Sequence, residues 1–363
     1  MGRHLRVIQR SRSAVAIGQP PALPSDWGRD GLHPLTDGRS RVYTYLRLSV
    51  TDRCDMACLY CMPPGGEEDH ALRPDVLTFE EAARVVDVFA SMGVRTVRFT
   101  GGEPLVRRDV VSLVELVARK TGLTDLAMTT NASRLAQLAW PLRRAGLARV
   151  NVSVDSLDPA RFRAITRGGD LAMVLSGIRA ALDAGFRDVK VNIVPVRGQN
   201  DDELERLVDW AWDWGLVPRF IELMPLGEGA NLPPSARVSA DEVRDLLADR
   251  LEPDVSGAPI AGRGPARYVR ARGAERKVGF ITAMSSSFCD DCNRVRITSR
   301  GEIRACLASR RAVSLRDEMR RGASDRELAW LVHWALDDKD EGHRFTEPEA
   351  DEHANVGMSL IGG

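Results

Sequence analysis

The sequence contains very little lysine and no long apolar segment. Only four lysines, Lys120, Lys190, Lys277 and Lys339, stand among its 51 basic residues, and the others are arginine. The 51 acidic residues balance them, so the chain has no net positive field that would recruit nucleic acid or an anionic membrane. No segment approaches the roughly 20 apolar residues that a membrane-spanning helix requires. We therefore expect a protein that binds neither nucleic acid nor membrane and holds any anion locally.

The first residues also lack the apolar core of a secretion signal. Residues 1–40 contain several arginines and the closely spaced prolines Pro20, Pro21 and Pro24, and we interpret them as a flexible leader. An arginine-rich organelle transit peptide is the alternative. With 44% hydrophobic residues the chain is far too apolar to be disordered, and we expect a folded, cytoplasmic protein.

Cysteine is scarce too. There are six cysteines, and they fall into two groups of three. The groups are Cys54, Cys58 and Cys61, then Cys289, Cys292 and Cys306. Three disulfides would suit a small secreted protein, but a chain of 363 residues without a secretion signal does not need them. Two metal centres explain the spacing better.

The middle of the chain alternates between apolar, β-rich segments and helical patterns. We predict strands at residues 43–50, 94–100, 125–130, 148–154, 188–194 and 217–223. Strands that alternate with helices are typical of βα units and a parallel sheet, so the fold class is α/β. The helix between the first two strands begins with a capping box formed by Thr78 and Glu81. A later helix, over residues 201–214, carries three tryptophans whose spacing indicates packing rather than ligand binding.

The pattern changes near residue 225. A glycine-rich segment at residues 257–264 is followed by three alternating patterns, which we predict to be strands of an antiparallel sheet. These strands lie at residues 267–271, 277–284 and 294–298. We therefore divide the chain into the leader, a barrel-forming region at residues 41–224 and a smaller α+β region at residues 225–363.

The first cysteine group forms a CxxxCxxC pattern directly after the first predicted strand. Loops that follow parallel strands lie at the C-terminal mouth of a barrel, where active sites form. Cys54, Cys58 and Cys61 can bind three irons of a 4Fe-4S cluster and leave the fourth iron open to a small molecule. A zinc site is the alternative, but zinc normally takes four ligands, and no histidine stands among these cysteines.

This pattern, with Tyr60 just before the last cysteine, resembles the radical S-adenosylmethionine (SAM) superfamily. The segment Gly101-Gly102-Glu103-Pro104, after the second strand, is similar to the superfamily's SAM-binding motif. The resemblance implies an incomplete (βα)6 TIM-type barrel that cleaves SAM reductively to a 5′-deoxyadenosyl radical. It also implies SAM contacts from Tyr60, Gly102, Glu103, Ser153 and Met224.

The second cysteine group consists of Cys289 and Cys292 in a CxxC and of Cys306, which follows after 13 intervening residues. A second cluster with an open iron suggests that the substrate contacts iron. A zinc ribbon lacking one ligand, or an electron-relay cluster with a non-cysteine ligand, is the alternative. Arg294 and Arg296 alternate on the following strand, so both guanidinium groups point to one side, where they can bind phosphate.

Basic residues also occur inside otherwise apolar strands. They are Arg47, Arg98, Lys190 and Arg219. Buried cations without partners are costly, so several of them in one barrel imply an anion in the cavity. A triphosphate would satisfy them.

The combination closely resembles the GTP 3′,8-cyclase family of molybdenum-cofactor biosynthesis, from about residue 45 onward. The matching segments are Thr51-Asp52-Arg53-Cys54, Tyr60-Cys61-Met62-Pro63, Thr100-Gly101-Gly102-Glu103-Pro104, Arg219-Phe220-Ile221-Glu222, Phe288-Cys289, Cys292-Asn293-Arg294 and Met358-Ser359-Leu360-Ile361-Gly362-Gly363. The resemblance implies two 4Fe-4S clusters and SAM as cofactors and GTP as substrate. In the implied reaction the deoxyadenosyl radical takes a hydrogen atom from C3′, the C3′ radical adds to C8, and reduction of the resulting radical by one electron, with a proton, gives the cyclic dihydro nucleotide. The product is (8S)-3′,8-cyclo-7,8-dihydroguanosine 5′-triphosphate.

The same resemblance implies the roles of individual residues. Gly362 and Gly363, which have no side chains, would enter the active site and assist the radical chemistry together with Arg294 and Arg296. GTP contacts are implied for Arg47, Arg98, Thr129, Lys190, Arg219, Arg294 and Arg296. Thr96 stands where a basic residue is expected in relatives, and this departure weakens the phosphate assignment.

The family also implies partners. They are a reductant of the flavodoxin or ferredoxin type and a downstream cyclic pyranopterin monophosphate synthase, and a homodimer is a further expectation. One alternative function is a radical SAM peptide-modifying enzyme with an auxiliary cluster, for which we would expect more C-terminal cysteines. Another is an iron-sulfur electron carrier that binds nucleotides without turnover, which leaves residues 101–104 without a role.

Overall fold

The computed structural model describes residues 15–16, 21–28, 31–67, 70–253, 264–309, 311–337, 339–343, 345 and 357–361. Within them the strands form one 12-stranded sheet. The strands are β1 (Val15–Ala16), β2 (Tyr45–Ser49), β3 (Thr96–Thr100), β4 (Asp125–Thr130), β5 (Arg149–Ser153), β6 (Lys190–Ile193), β7 (Val217–Ile221), β8 (Arg267–Arg270), β9 (Lys277–Ile281), β10 (Arg294–Ile297), β11 (Glu302–Arg304) and β12 (Arg311–Ser314). Their order is β1-β12-β11-β10-β2-β3-β4-β5-β6-β7-β9-β8.

The centre of the sheet is the predicted parallel arrangement. Strands β2 to β7 are neighbours in chain order, and each adjacent pair is parallel. These are the six predicted strands, with ends shortened by at most two residues. The predicted α/β fold with a parallel, barrel-type sheet is confirmed.

The predicted antiparallel pairing is confirmed for β8 and β9, but these strands and β10 do not form a sheet of their own. β9 pairs parallel with β7 and β10 pairs parallel with β2, so the C-terminal strands extend the barrel sheet at both edges. Among the described strands, antiparallel pairing joins β8 to β9, β10 to β11 and β11 to β12. Without β9 and β10, β2 and β7 would be edge strands with unpaired backbone groups. The pairing also places Arg294 level with Tyr45 and Arg296 level with Arg47.

Helices connect the strands. They are α1 (Phe79–Ser91), α2 (Val110–Ala118), α3 (Leu135–Arg144), α4 (Pro159–Thr166), α5 (Leu171–Asp183), α6 (Leu204–Asp213), α7 (Ala240–Leu246), α8 (Leu315–Arg320), α9 (Asp325–Asp337) and α10 (Met358–Ile361). The predicted capping box begins α1: Thr78 Oγ1 accepts from the Glu81 N–H, and the Glu81 carboxylate accepts from the Thr78 N–H. Trp210, Trp212 and Trp214, in and just after α6, pack against the core as predicted. In the part of the chain that the structure describes, no helix is long and apolar enough to cross a membrane.

Alternation along the strands separates the core from the site. Leu46 and Leu48 in β2 and Phe99 in β3 are fully buried among apolar neighbours. Successive side chains of a strand point to opposite faces, so Arg47 and Arg98 point away from this core. The sheet thus holds cations on its inner face.

The described end of the predicted leader is packed. The Trp27 ring lies 5.4 Å from the Trp330 ring of α9, Leu35 is fully buried, and Asp37 is buried against Arg41. These apolar side chains remove surface from water, which stabilises the segment on the fold. The leader predicted at residues 1–40 thus contacts the fold through Trp27, Leu35 and Asp37.

Candidate active site

The first cysteine group lies in the loop that follows β2. Cys54, Cys58 and Cys61 are free thiols and are partly buried. Burial raises the pKa of Cys54 and of Cys61 to about 12, and it raises the pKa of Cys58 well above its usual value. Buried thiols of this kind ionise when a positive centre accompanies them, and iron is such a centre.

Gly101 and Gly102 pack directly against this loop. The Gly102 N–H donates to the Thr51 carbonyl oxygen at 2.9 Å, and the Glu103 N–H donates to the Arg53 carbonyl oxygen at 2.8 Å. A Cβ atom on Gly102 would lie 2.5 Å from the Arg53 oxygen, and one on Gly101 would collide with the Thr51 oxygen. A side chain at either position would therefore displace the cysteine loop.

The Glu103 carboxylate is buried beside the loop. It accepts hydrogen bonds from the N–H groups of Leu105 and Asn131 and from the Thr130 hydroxyl, at 2.9, 2.6 and 2.7 Å. Burial raises the Glu103 pKa to about 7 despite these bonds. The Asn131 side-chain nitrogen lies 3.8 Å from the Cys54 sulfur. The carboxylate is thus rigidly held and connected to the first cysteine.

Tyr60 fastens the loop to the neighbouring strands. Its hydroxyl donates to Asp155 Oδ2 at 2.6 Å, and Asp155 Oδ1 accepts from the Val194 N–H at 2.8 Å. Burial raises the pKa of Asp155 to about 6. Ser153 is the last residue of β5, and Met224 follows the end of β7. The residues predicted to contact SAM therefore come from the cysteine loop and the carboxyl ends of the strands.

The C-terminal helix α10 also reaches this loop. The Ser359 N–H donates to the Cys61 sulfur, and the Ser359 hydroxyl lies 3.5 Å from Glu67 Oε1. Ser359 and Glu67 are both buried. Gly362 and Gly363, which we predicted to enter the active site, lie outside the described residues. The described residues that precede them contact the first cysteine group.

A cavity of about 190 Å³ adjoins the second cysteine group. It brings together ten of the residues that the sequence predicted individually to bind a cluster, SAM or GTP. They are Arg47, Arg98, Thr129, Arg219, Met224, Cys289, Cys292, Arg294, Arg296 and Cys306. None of the described lining residues is aspartate or glutamate. The cavity therefore has a strongly cationic lining.

Neutral oxygens fix two of the arginines. Arg219 Nε donates to Asn192 Oδ1 at 3.0 Å, and Arg98 Nη1 donates to the Thr129 hydroxyl at 3.2 Å. When the Asn151 amide is oriented so that both of its ends are satisfied, its oxygen accepts from Arg219 at 2.6 Å and from Arg98 at 2.7 Å. Amide and hydroxyl acceptors orient these guanidinium groups without neutralising their charge.

Burial and mutual repulsion lower the pKa values of several of these basic groups. Burial lowers the pKa of Arg47 well below its usual value, and Arg296 lowers it further. Burial and the neighbouring Arg294 lower the pKa of Arg296 to about 10. Burial, followed by repulsion from Arg219, lowers the pKa of Lys190 to about 7. An anion in the cavity would reverse these shifts, because it favours the charged forms.

Two basic groups also surround the second cysteine group. Lys339 Nζ donates to the Cys292 sulfur at 3.4 Å, and Arg294 Nη2 donates to the same sulfur at 3.9 Å. Burial raises the Cys292 pKa, but Arg294 and Lys339 more than offset it, and the resulting pKa is about 6. Burial raises the pKa of Cys306. The surroundings of Cys292 therefore favour its thiolate, whereas those of Cys306 favour the thiol.

The residues that line the cavity differ in part from the predicted ones. Lys190 does not belong to its lining; it begins β6, on the same face as Asn192 but nearer the amino end of the strand. Thr96, at the start of β3, is likewise outside the lining. Asn151 and Asn192 line the cavity and were missed, and Phe288, from one of the matching segments, lines it too. The two asparagines each stand between buried apolar residues of a strand, which was a usable signal.

Comparison with known proteins covers both parts of the chain. Residues 48–211 match the model of the radical SAM superfamily, and residues 217–345 match that of Molybdenum Cofactor Synthesis C. The GTP 3′,8-cyclase of Heliobacterium modesticaldum is 44% identical over 331 residues, which cover 91% of this chain and 100% of that protein. The chain belongs to the GTP 3′,8-cyclase family. The GTP 3′,8-cyclase 1 of Pseudomonas aeruginosa is 47% identical over 314 residues, 85% of this chain and 94% of that protein.

A solved structure shares the fold. The Streptococcus suis SuiB structure, bound to S-adenosylmethionine, has a TM-score of 0.52 and 14% sequence identity to this chain. The match covers 73% of this chain and 60% of that one. Together with the radical SAM match, it confirms the predicted fold class for this member of the GTP 3′,8-cyclase family.

Family membership makes SAM and 4Fe-4S clusters the cofactors, and the donor chemistry of this chain fits them. Each site offers three cysteine sulfurs, the ligands that iron-sulfur clusters take. Among the described residues, no three His, Cys, Asp or Glu side chains converge on a single metal ion. A cluster does not need such convergence, because each sulfur binds a different iron.

Proposed function

We propose that this chain is a GTP 3′,8-cyclase, which converts GTP to (8S)-3′,8-cyclo-7,8-dihydroguanosine 5′-triphosphate and so begins molybdenum-cofactor biosynthesis. Curated relatives that it matches over nearly their full length bear the name of that activity. One observation carries the substrate assignment: five arginines and three thiols border the same cavity. A nucleoside triphosphate has the charge that this lining requires.

We assign the first cluster to Cys54, Cys58 and Cys61. When bound, SAM and this cluster supply the one-electron chemistry that removes a hydrogen atom from an unactivated carbon. The SAM contacts assigned are Tyr60, Gly102, Glu103, Ser153 and Met224. A buried carboxylate such as Glu103 suits the amino group of SAM, since an ammonium group gives a charge-assisted hydrogen bond.

We assign the second cluster to Cys289, Cys292 and Cys306. These residues border the cavity, so the guanine of GTP in that cavity would lie beside them. Three thiols leave one iron free for a ligand atom of the base.

The arginines bind and orient the triphosphate. Thr129, Asn151 and Asn192 hold Arg98 and Arg219 in place, which supports a fixed position of the nucleotide. The reaction forms the C3′–C8 bond within one GTP molecule after C3′ loses its hydrogen atom. A fixed conformation of the bound nucleotide would hold C3′ close to C8 and so favour this step. We assign Arg47, Arg294 and Arg296, which line the cavity, to the same anion. A contact of Lys190 with GTP rests on the family resemblance alone, because Lys190 lies outside the cavity lining.

Several assignments come from the family alone. We propose that Gly362 and Gly363, with Arg294 and Arg296, assist the radical step. A flavodoxin- or ferredoxin-type reductant, a downstream cyclic pyranopterin monophosphate synthase, a homodimer and a cytoplasmic location are proposals of the same kind.

Anaerobic turnover tests the function. Protein reconstituted with iron and sulfide is incubated with SAM, dithionite and GTP, and 5′-deoxyadenosine and an acid-convertible fluorescent pterin are measured by chromatography. We expect both products from the native chain, and neither after Cys54→Ala. Deoxyadenosine without pterin from the native chain would retain the radical chemistry and reject GTP as the substrate.

The second cysteine group has its own variant. Cys289→Ala should abolish the pterin precursor while the first group still binds iron. If Cys289→Ala forms the pterin at the native rate, the assignment of the second group to the substrate is wrong.

A further inference from the structure

Lys339 is a buried lysine that the proposed reaction leaves without a role. It follows α9, where its N–H donates to the Leu336 carbonyl oxygen at 3.0 Å, and it is only 8% exposed. It is not part of the cavity lining, so it is not placed to bind the substrate. Every other basic group named at the two cysteine sites is an arginine. A lysine at this position in an arginine-rich chain calls for a specific function.

The Lys339 ammonium group lies between a sulfur and an aromatic ring. Its Nζ atom is 3.4 Å from the Cys292 sulfur and 4.6 Å from the centre of the Tyr43 ring. The ring face is electron-rich and attracts the cation, while the sulfur accepts its hydrogen bond. These two contacts stabilise a charge that would otherwise be costly to bury.

Hydrogen bonds from Tyr43 and Arg41 connect the chain segments around Lys339. The Tyr43 hydroxyl donates to Asp37 Oδ2 at 2.6 Å, and Arg41 Nε pairs with the same oxygen at 2.6 Å. Arg41 in turn donates to the carbonyl oxygens of Cys289 and Asp340, at 3.0 and 2.9 Å. The segment before β2, the second cysteine group and the residues around Lys339 are thereby joined. The ring beneath Lys339 is held in place by this network.

We propose that Lys339 is a positioning residue, which holds Cys292 for the second cluster and raises the reduction potential of that cluster through its hydrogen bond to the sulfur. The inference rests on the assignment of the second cluster made above. A charged donor at a cluster sulfur favours the reduced, more negative state, so its removal shifts the potential downward. Lysine suits this role because its compact ammonium group can approach one sulfur directly, whereas the arginine fork is wider.

The test compares Lys339→Met with Lys339→Arg. Methionine keeps much of the length and apolar volume of the side chain but removes the charge and the donor. Lys120→Met is the matched control, because Lys120, in the loop after α2, pairs with Asp87 of α1. Each substitution is made in the full chain with Cys54, Cys58 and Cys61 changed to Ala, so that only the second cluster assembles. The readouts are iron and sulfide per chain and the midpoint potential from an electron paramagnetic resonance titration, without SAM or GTP.

We expect a more negative midpoint potential for Lys339→Met, an unchanged one for Lys120→Met, and a potential nearer the native value for Lys339→Arg. Loss of iron from a folded Lys339→Met chain, restored by Lys339→Arg, also supports the proposal. Equal potentials and equal iron content in Lys339→Met and the native chain would overturn it and leave the cyclase function intact. If the second group binds no iron even with native Lys339, the second cluster itself is wrong and the proposal falls with it.

Discussion

Arg219 and Asn192 are linked by a hydrogen bond of 3.0 Å, from the guanidinium Nε to the side-chain oxygen of the asparagine. They lie level with each other on the paired strands β6 and β7. Because the acceptor is an amide and not a carboxylate, Arg219 is oriented but keeps its charge for a ligand. With an asparagine at position 192, Arg219 can bind an anionic ligand; an aspartate there would instead form an internal ion pair with it.

Asn192→Asp should therefore weaken GTP binding. The new carboxylate has nearly the same shape but neutralises Arg219 and repels the triphosphate. We expect KM for GTP to rise by about tenfold or more, which corresponds to roughly 1.4 kcal/mol, with little change in KM for SAM. Steady-state kinetics, with GTP varied in one series and SAM in the other, measures the two KM values. An unchanged KM for GTP would show that Arg219 does not face the triphosphate.

Gly102→Ala should disrupt the first cysteine loop. Its Cβ atom would lie 2.5 Å from the Arg53 carbonyl oxygen, so the loop has to shift. Overpacking of this kind costs about 1–3 kcal/mol, and we expect loss of iron from the first site and of deoxyadenosine formation. Gly342→Ala is the control, because its Cβ atom would lie an ordinary 3.8 Å from Cys289. Equal iron content in the two variants contradicts the predicted packing.

The tail that carries α10 can be tested through Gly357. A Cβ atom there would collide with the Glu67 carboxylate, and because Glu67 is buried its side chain has little room to move aside, so Gly357→Val should displace the tail from the first cysteine group. We expect lower kcat and faster trimming by a carboxypeptidase. Ser359→Ala keeps the N–H that donates to Cys61 and should behave nearly like the native chain. Trimming of Gly357→Val at the native rate argues against a docked tail.

Stability near the packed N-terminal segment should depend on pH through His333. Its ring lies 5.5 Å from the Trp27 ring, and burial lowers its pKa below 6.5, although a backbone hydrogen bond with His33 and the charge of Asp337 act the other way. The charge of His33 lowers the pKa further. The folded state therefore binds fewer protons than the unfolded chain around that pH. This contribution is fully present above pH 6.5 and declines as the pH falls below it.

His333→Phe should remove this dependence. The melting temperature of the native chain, minus that of His333→Phe, is measured from pH 7.5 to 5.0, so that other titrating groups cancel. We expect the difference to become more negative as the pH falls. A difference that stays constant over this range rules out His333 as the group responsible.

Local patterns allowed much of the fold and site to be predicted. The capping box of Thr78 and Glu81 depends on residues three apart, and it forms as expected. The parallel strands could be predicted from their apolar pattern, because each strand buries at least one face and therefore needs apolar residues there. Cys54 and Cys289 were assigned from ligand chemistry and spacing, which do not require knowledge of the fold.

Contacts between distant parts of the chain were beyond such patterns. The pairing of Arg294 with Tyr45 places a C-terminal strand at the edge of the barrel sheet, and nothing near either residue specifies the other. Burial of Leu35 in the assumed leader depends equally on a distant partner surface. Lys190, predicted to contact GTP, lies on the same face of β6 as Asn192, but its position at the start of the strand leaves it outside the cavity lining. Side-chain alternation does not give a residue's height relative to the cavity.

The most direct test of the account follows one atom. The reconstituted protein is supplied with SAM and with GTP that carries deuterium at C3′, and the 5′-deoxyadenosine formed is analysed by mass spectrometry. We expect deoxyadenosine that contains one deuterium atom, formed together with the cyclised nucleotide. Unlabelled deoxyadenosine alongside the cyclised product would contradict hydrogen removal from C3′.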